Sequence, residues 1–235
     1  MKIGIMQPYF FPYIGYWQLM NAVDKYVIYD DVNYIKGGWI NRNHILLNGK
    51  SNIINLKMDG ASPNKLINEV HVANDNIYKG KILKTIEYSY KKAPFFDTVY
   101  PIIKDIIIYE EYVLSLYLEN SIRVIAQYLE MKTEFILSSY LNKDNSLKGQ
   151  DKVIDICNIL GASEYYNAIG GIGLYNTQDF EMNCIKLRFL QTKLVEYYQL
   201  NNEFVPNLSI IDIMMFNSKE KIKEILDCYS LVKSR

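Results

Sequence analysis

The segment Lys2-Ile-Gly-Ile-Met-Gln-Pro-Tyr-Phe-Phe-Pro-Tyr-Ile-Gly-Tyr16 constrains how this chain can begin to fold. Ile3 to Met6 is a short apolar run and reads as a buried strand. Two prolines then interrupt any regular element, and a helix is expected from Trp17 to Val23. Lys25 to Asp30 is a second strand, ending at the carboxylate pair Asp30-Asp31. Two apolar strands joined through a helix form a parallel βαβ unit, because parallel neighbours need a crossover. The expected fold class is therefore α/β, an open mixed sheet beginning with a Rossmann-like βαβ unit. Such sheets bind ligands outside the carboxyl ends of their strands. This makes the loop residues Gln7, Tyr9, Gly15 and Tyr16 candidates for substrate binding.

Further along, Asn43 to Leu47 and Ser51 to Lys57 flank Asn48-Gly49. Asn-Gly between alternating segments predicts a hairpin, since both turn positions favour positive φ; its strands are expected to make the sheet mixed. From about residue 76 the period becomes helical, with stripes at Ile82, Leu83, Ile86 and Tyr90, then Ile102, Ile103, Ile106 and Ile107. Leu114, Leu118, Ile122, Ile125 and Leu129 extend it. A helix from Asp151 should stop at Gly161. Strand character returns at Glu164 to Tyr166 and at Ile185, Leu187 and Phe189. A terminal helix should bury Ile222, Ile225, Leu226 and Tyr229. The central and C-terminal portion is thus largely helical. Residues 1–235 read as a single α/β domain in which about 76–160 could form a helical subdomain, and Asn142 to Gly149 looks linker-like.

Composition narrows the partners. Lys plus Arg and Asp plus Glu number 26 each, so no nucleic-acid or acidic-membrane partner is implied. The 21 tyrosines suit semi-polar clefts, although a biased genome explains them equally well. Three widely spaced cysteines and two distant histidines suggest neither a disulfide framework nor a metal site. No signal peptide or membrane-length apolar run is seen, so a cytoplasmic chain without stable membrane insertion is expected. A homo-oligomer is compatible with the sequence.

Three polar constellations follow. Asp30, Asp31, Lys36, Trp39, Arg42, Asn43 and His44 form the densest one. Asp30 or His44 could serve as general base, and Lys36 and Arg42 could hold a phosphate. Asp31 as a turn former, Lys36 as a solvated charge and His44 as a plain strand residue are the structural alternatives. Asp151, Tyr165, Tyr166, Gly170, Gly171 and Tyr175 are a second group, in which Cys157 reads as a buried thiol rather than a nucleophile. Tyr198, Gln199, Ser209 and Asp212 are substrate-binding candidates in the third. Ser209 and Asp212 also fit a capping-box variant before Ile213. Tyr13 and Tyr16 stand where a nucleotidyltransferase loop would carry histidines, which counts against nucleotidyl transfer.

Gln7-Pro-Tyr-Phe-Phe-Pro-Tyr-Ile-Gly-Tyr16, Tyr29-Asp-Asp-Val32, Trp39-Ile-Asn-Arg-Asn43 and Tyr90-Lys-Lys-Ala-Pro-Phe95 together resemble the WbqC-like protein family. Tyr198-Gln199, Phe204 and Ser209-Ile-Ile-Asp212 continue the resemblance over nearly the whole chain. It implies a place in O-antigen or other surface-polysaccharide biosynthesis, and hence work on activated sugars. The expectation is a transferase moving an acyl or aminoacyl group to a nucleotide-linked amino sugar. The cofactor is left unspecified, with an acyl-thioester donor as one candidate. Tyr9, Tyr16 and Trp39 would pack on rings. A nucleotidyltransferase-like enzyme and a non-catalytic sugar-binding or scaffold protein of the same pathway are the alternatives.

Overall fold

A computed structural model describes residues 1–200 and 203–233. β1 (Lys2–Met6), α1 (Ile14–Asn21) and β2 (Lys25–Ile28) form the expected unit, with β1 and β2 parallel. The helix begins three residues before the expected Trp17, as soon as Pro12 is passed. Tyr13 is its N-cap, in extended geometry. A long excursion then precedes the third sheet strand, β7 (Glu134–Leu137), which lies parallel to β2. β8 (Glu164–Ala168) pairs parallel on the other side of β1, and β9 (Lys186–Thr192) pairs parallel with β8. β10 (Tyr229–Val232) closes the edge antiparallel to β9.

The sheet order β10-β9-β8-β1-β2-β7 is thus 6-5-4-1-2-3 in order of appearance along the chain. This is the doubly wound arrangement, with its switch point between β1 and β8. Alternation along each strand divides the core between the two faces. Ile3, Ile5, Val27 and Leu187 pack with Val153, Ile156 and Cys157 of α5 (Gly149–Ile159) and with Phe180 of α6 (Thr177–Met182). Tyr26, Ile28, Phe135 and Tyr166 face a larger cluster on the opposite side, which includes α1. That cluster also takes in α2 (Asn76–Tyr90), α3 (Phe96–Ile108) and α4 (Leu114–Tyr128). It is completed by α7 (Ile210–Phe216) and α8 (Lys219–Leu226).

Three local expectations need correction. The hairpin forms at Asn48-Gly49, with φ of 51° and 72° as an Asn-Gly turn requires. However, β3 (Arg42–Leu47) and β4 (Lys50–Asn55) make a separate two-stranded sheet. A second small ribbon pairs β5 (Met58–Asp59) with β6 (His71–Val72). The main sheet is mixed because of β10, whose Tyr229 was expected on the inward face of a terminal helix. The chain leaves α8 at Leu226, and Tyr229 then pairs with Thr192. Finally, β7 lies in a stretch that the helical spacing before it and the linker-like loop after it concealed.

Gly161 does end α5, with φ of 69°. Cys157 is buried in the second core cluster, and burial pushes its thiol up to about 12. No helix among the described residues is long and apolar enough to cross a membrane.

Candidate functional site

The loops leaving β1, β2 and β9 enclose a cavity of about 320 Å³ lined by Tyr9, Tyr13, Trp39, Asn43 and Asn207. Its walls are held from behind. The Trp39 carbonyl accepts from Phe10 N at 3.2 Å, so the two loops are stitched together. Arg42 lies over the Trp39 ring at 5.9 Å and donates to the carbonyls of Gly37 and Gly38. His44 meets the same ring edge-on at 5.2 Å. Thus Trp39 is braced by several groups yet remains 43% exposed.

Asn43 is buried and donates to Phe10 O at 3.1 Å and Phe11 O at 2.9 Å, while its Oδ1 accepts from His44 N. These bonds hold the loop at Phe11, which has a φ of 44° that non-glycine residues rarely adopt. Tyr16 is fully buried rather than placed on a cavity wall. Its hydroxyl donates to Gln7 O at 2.6 Å, and its ring packs 5.4 Å from Tyr9. Burial raises its phenol far above the ordinary range.

Gly15 makes room for Tyr13. A Cβ there would lie 2.6 Å from the Tyr13 ring and 2.4 Å from Thr192 Oγ1. The absence of a Cβ at Gly15 is therefore what lets the Tyr13 ring and Thr192 pack here.

A second cavity, of about 660 Å³, opens at the carboxyl ends of β2 and β7 and is lined in part by Tyr29, Asp31, Ser139, Lys148 and Lys152. Asp30 lies beneath it, 1% exposed, and accepts from Ser139 N at 2.9 Å and Ser139 Oγ at 2.7 Å. Burial pushes its carboxyl up, and the Ser139 bonds offset this only in part. Asp31 accepts from Lys143 at 2.8 Å and Lys152 at 3.0 Å. Burial raises its pKa too, but the Lys143 and Lys152 ammonium groups prevail and hold it below the usual carboxylate value. The Lys152 ammonium also lies 5.5 Å from the centre of the Tyr29 ring.

The third constellation is a buried network. Asp212 accepts from Tyr90 at 2.9 Å, Tyr197 at 2.7 Å and Gln199 at 2.7 Å. Burial raises its carboxyl despite these donors. The capping box does not form. Ser209 N already donates to His44 O at 2.8 Å, which leaves nothing for an Asp212 side chain to cap, and Ser209 Oγ has no partner among the described residues. Ser209 instead bridges to Tyr13 and so ties α7 to the first cavity. Tyr198 lines a separate cavity of about 530 Å³ with Lys91 and Lys92, and Lys36 is exposed on its loop.

Tyr9, Trp39 and Asn43 are therefore brought together at one cavity, with Gln7, Gly15, Tyr16, Arg42, His44 and Ser209 building its walls or anchoring them. Asp30 and Asp31 belong to the other cavity. The sequence reading missed Tyr13 and Asn207 in the first cavity and Ser139, Lys143, Lys148 and Lys152 in the second. The signal for this second group was the run Glu134-Phe-Ile-Leu137 followed by a polar loop and a helix. That is the same strand–loop–helix pattern that marked the N-terminus. Among the described residues, no three His, Cys, Asp or Glu side chains gather closely enough to hold a metal ion.

Residues 7–224 match the model of the WbqC-like protein family, and the chain belongs to that family. It is also 26% identical over 218 residues to the uncharacterized protein Rv1507c of Mycobacterium tuberculosis, covering 91% of this chain and 92% of the relative. No solved structure matches the chain significantly.

Proposed function

We propose that this member of the WbqC-like family is a group-transfer enzyme of surface-polysaccharide biosynthesis. In this reading it transfers an acyl or aminoacyl group to a nucleotide-linked amino sugar. One observation carries the reading: Tyr9, Tyr13, Trp39 and Asn43, four of the five residues lining the small cavity, come from the sequence blocks that carry the family resemblance. A rigid aromatic cavity with the Asn207 amide on its lining suits a ring bearing hydroxyls, because flat apolar faces and a few fixed polar groups are what orient such ligands. An attacking sugar amine must lose a proton, and His44 beside Trp39 is the acceptor in this reading. Lys36 and Arg42 remain the phosphate-binding candidates, although Arg42 already uses two of its donors on Gly37 and Gly38.

Titration calorimetry with a panel of uridine- and thymidine-diphosphate amino sugars tests the proposal. At least one should bind, and Trp39→Ala should weaken binding at least about tenfold, equivalent to about 1.4 kcal/mol, with the circular dichroism unchanged. If no sugar in the panel binds, or Trp39→Ala binds as the wild type does, the reading is wrong. The bracing of Arg42 and His44 against Trp39 also favours a second reading, a sugar-binding protein without turnover. Tight binding with no product from any acyl donor would select it.

A further inference from the structure

We propose that Ser139 is a nucleophilic hydroxyl that accepts an acyl group from an activated ester or thioester, with Asp30 acting behind it as base. The sheet topology creates the pair. β2 and β7 run parallel with Ile28 opposite Leu137, so Asp30 and Ser139, each two residues past its strand, emerge side by side. The two are 109 residues apart in the chain, and their oxygens are 2.7 Å apart. Asp30 is 1% exposed and does not line the cavity, whereas Ser139 is exposed and does. A proton leaving a reactant in that cavity therefore reaches the carboxylate through the Ser139 hydroxyl.

The surroundings suit this role. Burial makes Asp30 a stronger base than an exposed aspartate. Asp31 does not compete for the proton, because Lys143 and Lys152 hold it ionised. Lys152 and Lys148 both line the same cavity as Ser139, and positive charge there favours a carbonyl oxygen that becomes negative.

The step balances. Ser139 Oγ attacks the thioester carbonyl carbon, and its proton passes to Asp30. The C–S bond then breaks, and the departing thiolate takes a proton from water to leave as a thiol. An acceptor amine next attacks the ester carbonyl and the C–O bond breaks. The amine releases its proton to water or to His44, and Asp30 returns the proton it holds to the Ser139 oxygen beside it, leaving an amide and a free hydroxyl. This inference rests on the acyl arm of the proposed function, but its test needs no sugar.

Purified protein is incubated with p-nitrophenyl acetate, and separately with an acetyl thioester, then quenched in acid and mapped by peptide mass spectrometry. The expected result is one acetyl group on Ser139, absent in Ser139→Ala and retained in Ser139→Cys. Asp30 acts through Ser139, so its signature is a pH profile: acylation should rise as its carboxylate ionises, with a midpoint above that of an exposed aspartate. Asp30→Asn should lower the rate at least about 100-fold and remove that limb. Should Asp30→Asn fail to fold, the Ser139 variants and the wild-type profile decide. No adduct at Ser139, an adduct that survives Ser139→Ala, or a profile without the limb overturns the proposal. Acylation without sugar binding would sink the sugar reading alone; sugar binding and turnover without an adduct would sink only this one.

Discussion

Asp31→Asn tests the electrostatics of the larger cavity most directly. The carboxylate sits between Lys143 and Lys152, and the three side chains are 9%, 1% and 8% exposed. Removing its charge leaves two ammonium groups out of water against a neutral amide, and breaking a buried pair this way costs about 3–5 kcal/mol. Each lysine keeps some compensation. Lys143 donates to Ser138 O, while Lys152 donates to Asp31 O at 3.2 Å and faces the Tyr29 ring. The low end, about 3 kcal/mol, is therefore expected, or a fall in Tm of about 6–12 °C for a chain of this size. Urea unfolding followed by circular dichroism measures it. The folded pKa of Asp31 lies below its unfolded value, so its contribution is fully present above about pH 4 and is lost as pH falls through the folded value. The difference between wild type and variant should accordingly be largest near neutrality and close on acidification. Adding Lys143→Met to Asp31→Asn should recover about 1 kcal/mol or more, because it removes one of the stranded charges. A loss below about 1 kcal/mol at pH 7, or a gap that does not narrow in acid, would refute the reasoning.

Gly15→Ala should destabilise by about 1–3 kcal/mol through overpacking, since its Cβ would overlap Tyr13 and Thr192. Thermal unfolding reads that cost, and weakened sugar binding reads the displacement of Tyr13. Asn43→Ala removes the donors to Phe10 and Phe11 and the acceptor for His44 N, so a loss of about 1–3 kcal/mol is expected in urea unfolding. Tyr90→Phe leaves Leu46 N without its acceptor and Asp212 with one donor fewer; a similar loss should appear, with little change in ligand binding if the network is purely structural.

The parts of the fold that the sequence disclosed are those governed by local chemistry. The first βαβ unit follows from apolar runs and prolines, the β3–β4 turn from two residues that accept positive φ, and the end of α5 from Gly161. β7 and β10 are only four residues each, and neither has a period long enough to outweigh the helical segments beside it. The candidate sites divide in the same way. Trp39, Arg42, Asn43 and His44 are close in sequence and stay close in space. Ser139 with Asp30, and Tyr90 with Asp212, meet across 109 and 122 residues, and only the order of the strands and the packing of α2 and α7 on α3 and β3 bring them together.

This division bears on what the family signature means. Tyr16, Asn43, Gly15 and Arg42 make their contacts with carbonyls and rings of the protein itself, and Gln7 contributes a backbone carbonyl rather than its amide. Such residues are specified closely because each fills a position in which a small change in volume or donor geometry would collapse a wall. In the proposed reading they build the wall against which a ligand rests without being the groups that react with it. The larger cavity reverses this pattern. Its hydroxyl and its lysines come from the polar segment after β7 and the first turn of α5, and their placement depends on a buried carboxylate pair, Asp30-Asp31, that the sequence does reveal. Asp30 holds Ser139 and Asp31 holds Lys143 and Lys152, so the two adjacent aspartates organise the cavity between them. Chemistry at that cavity should therefore respond to both aspartates, Asp30 through the hydroxyl and Asp31 through the lysines, while binding at the aromatic cavity should respond to neither.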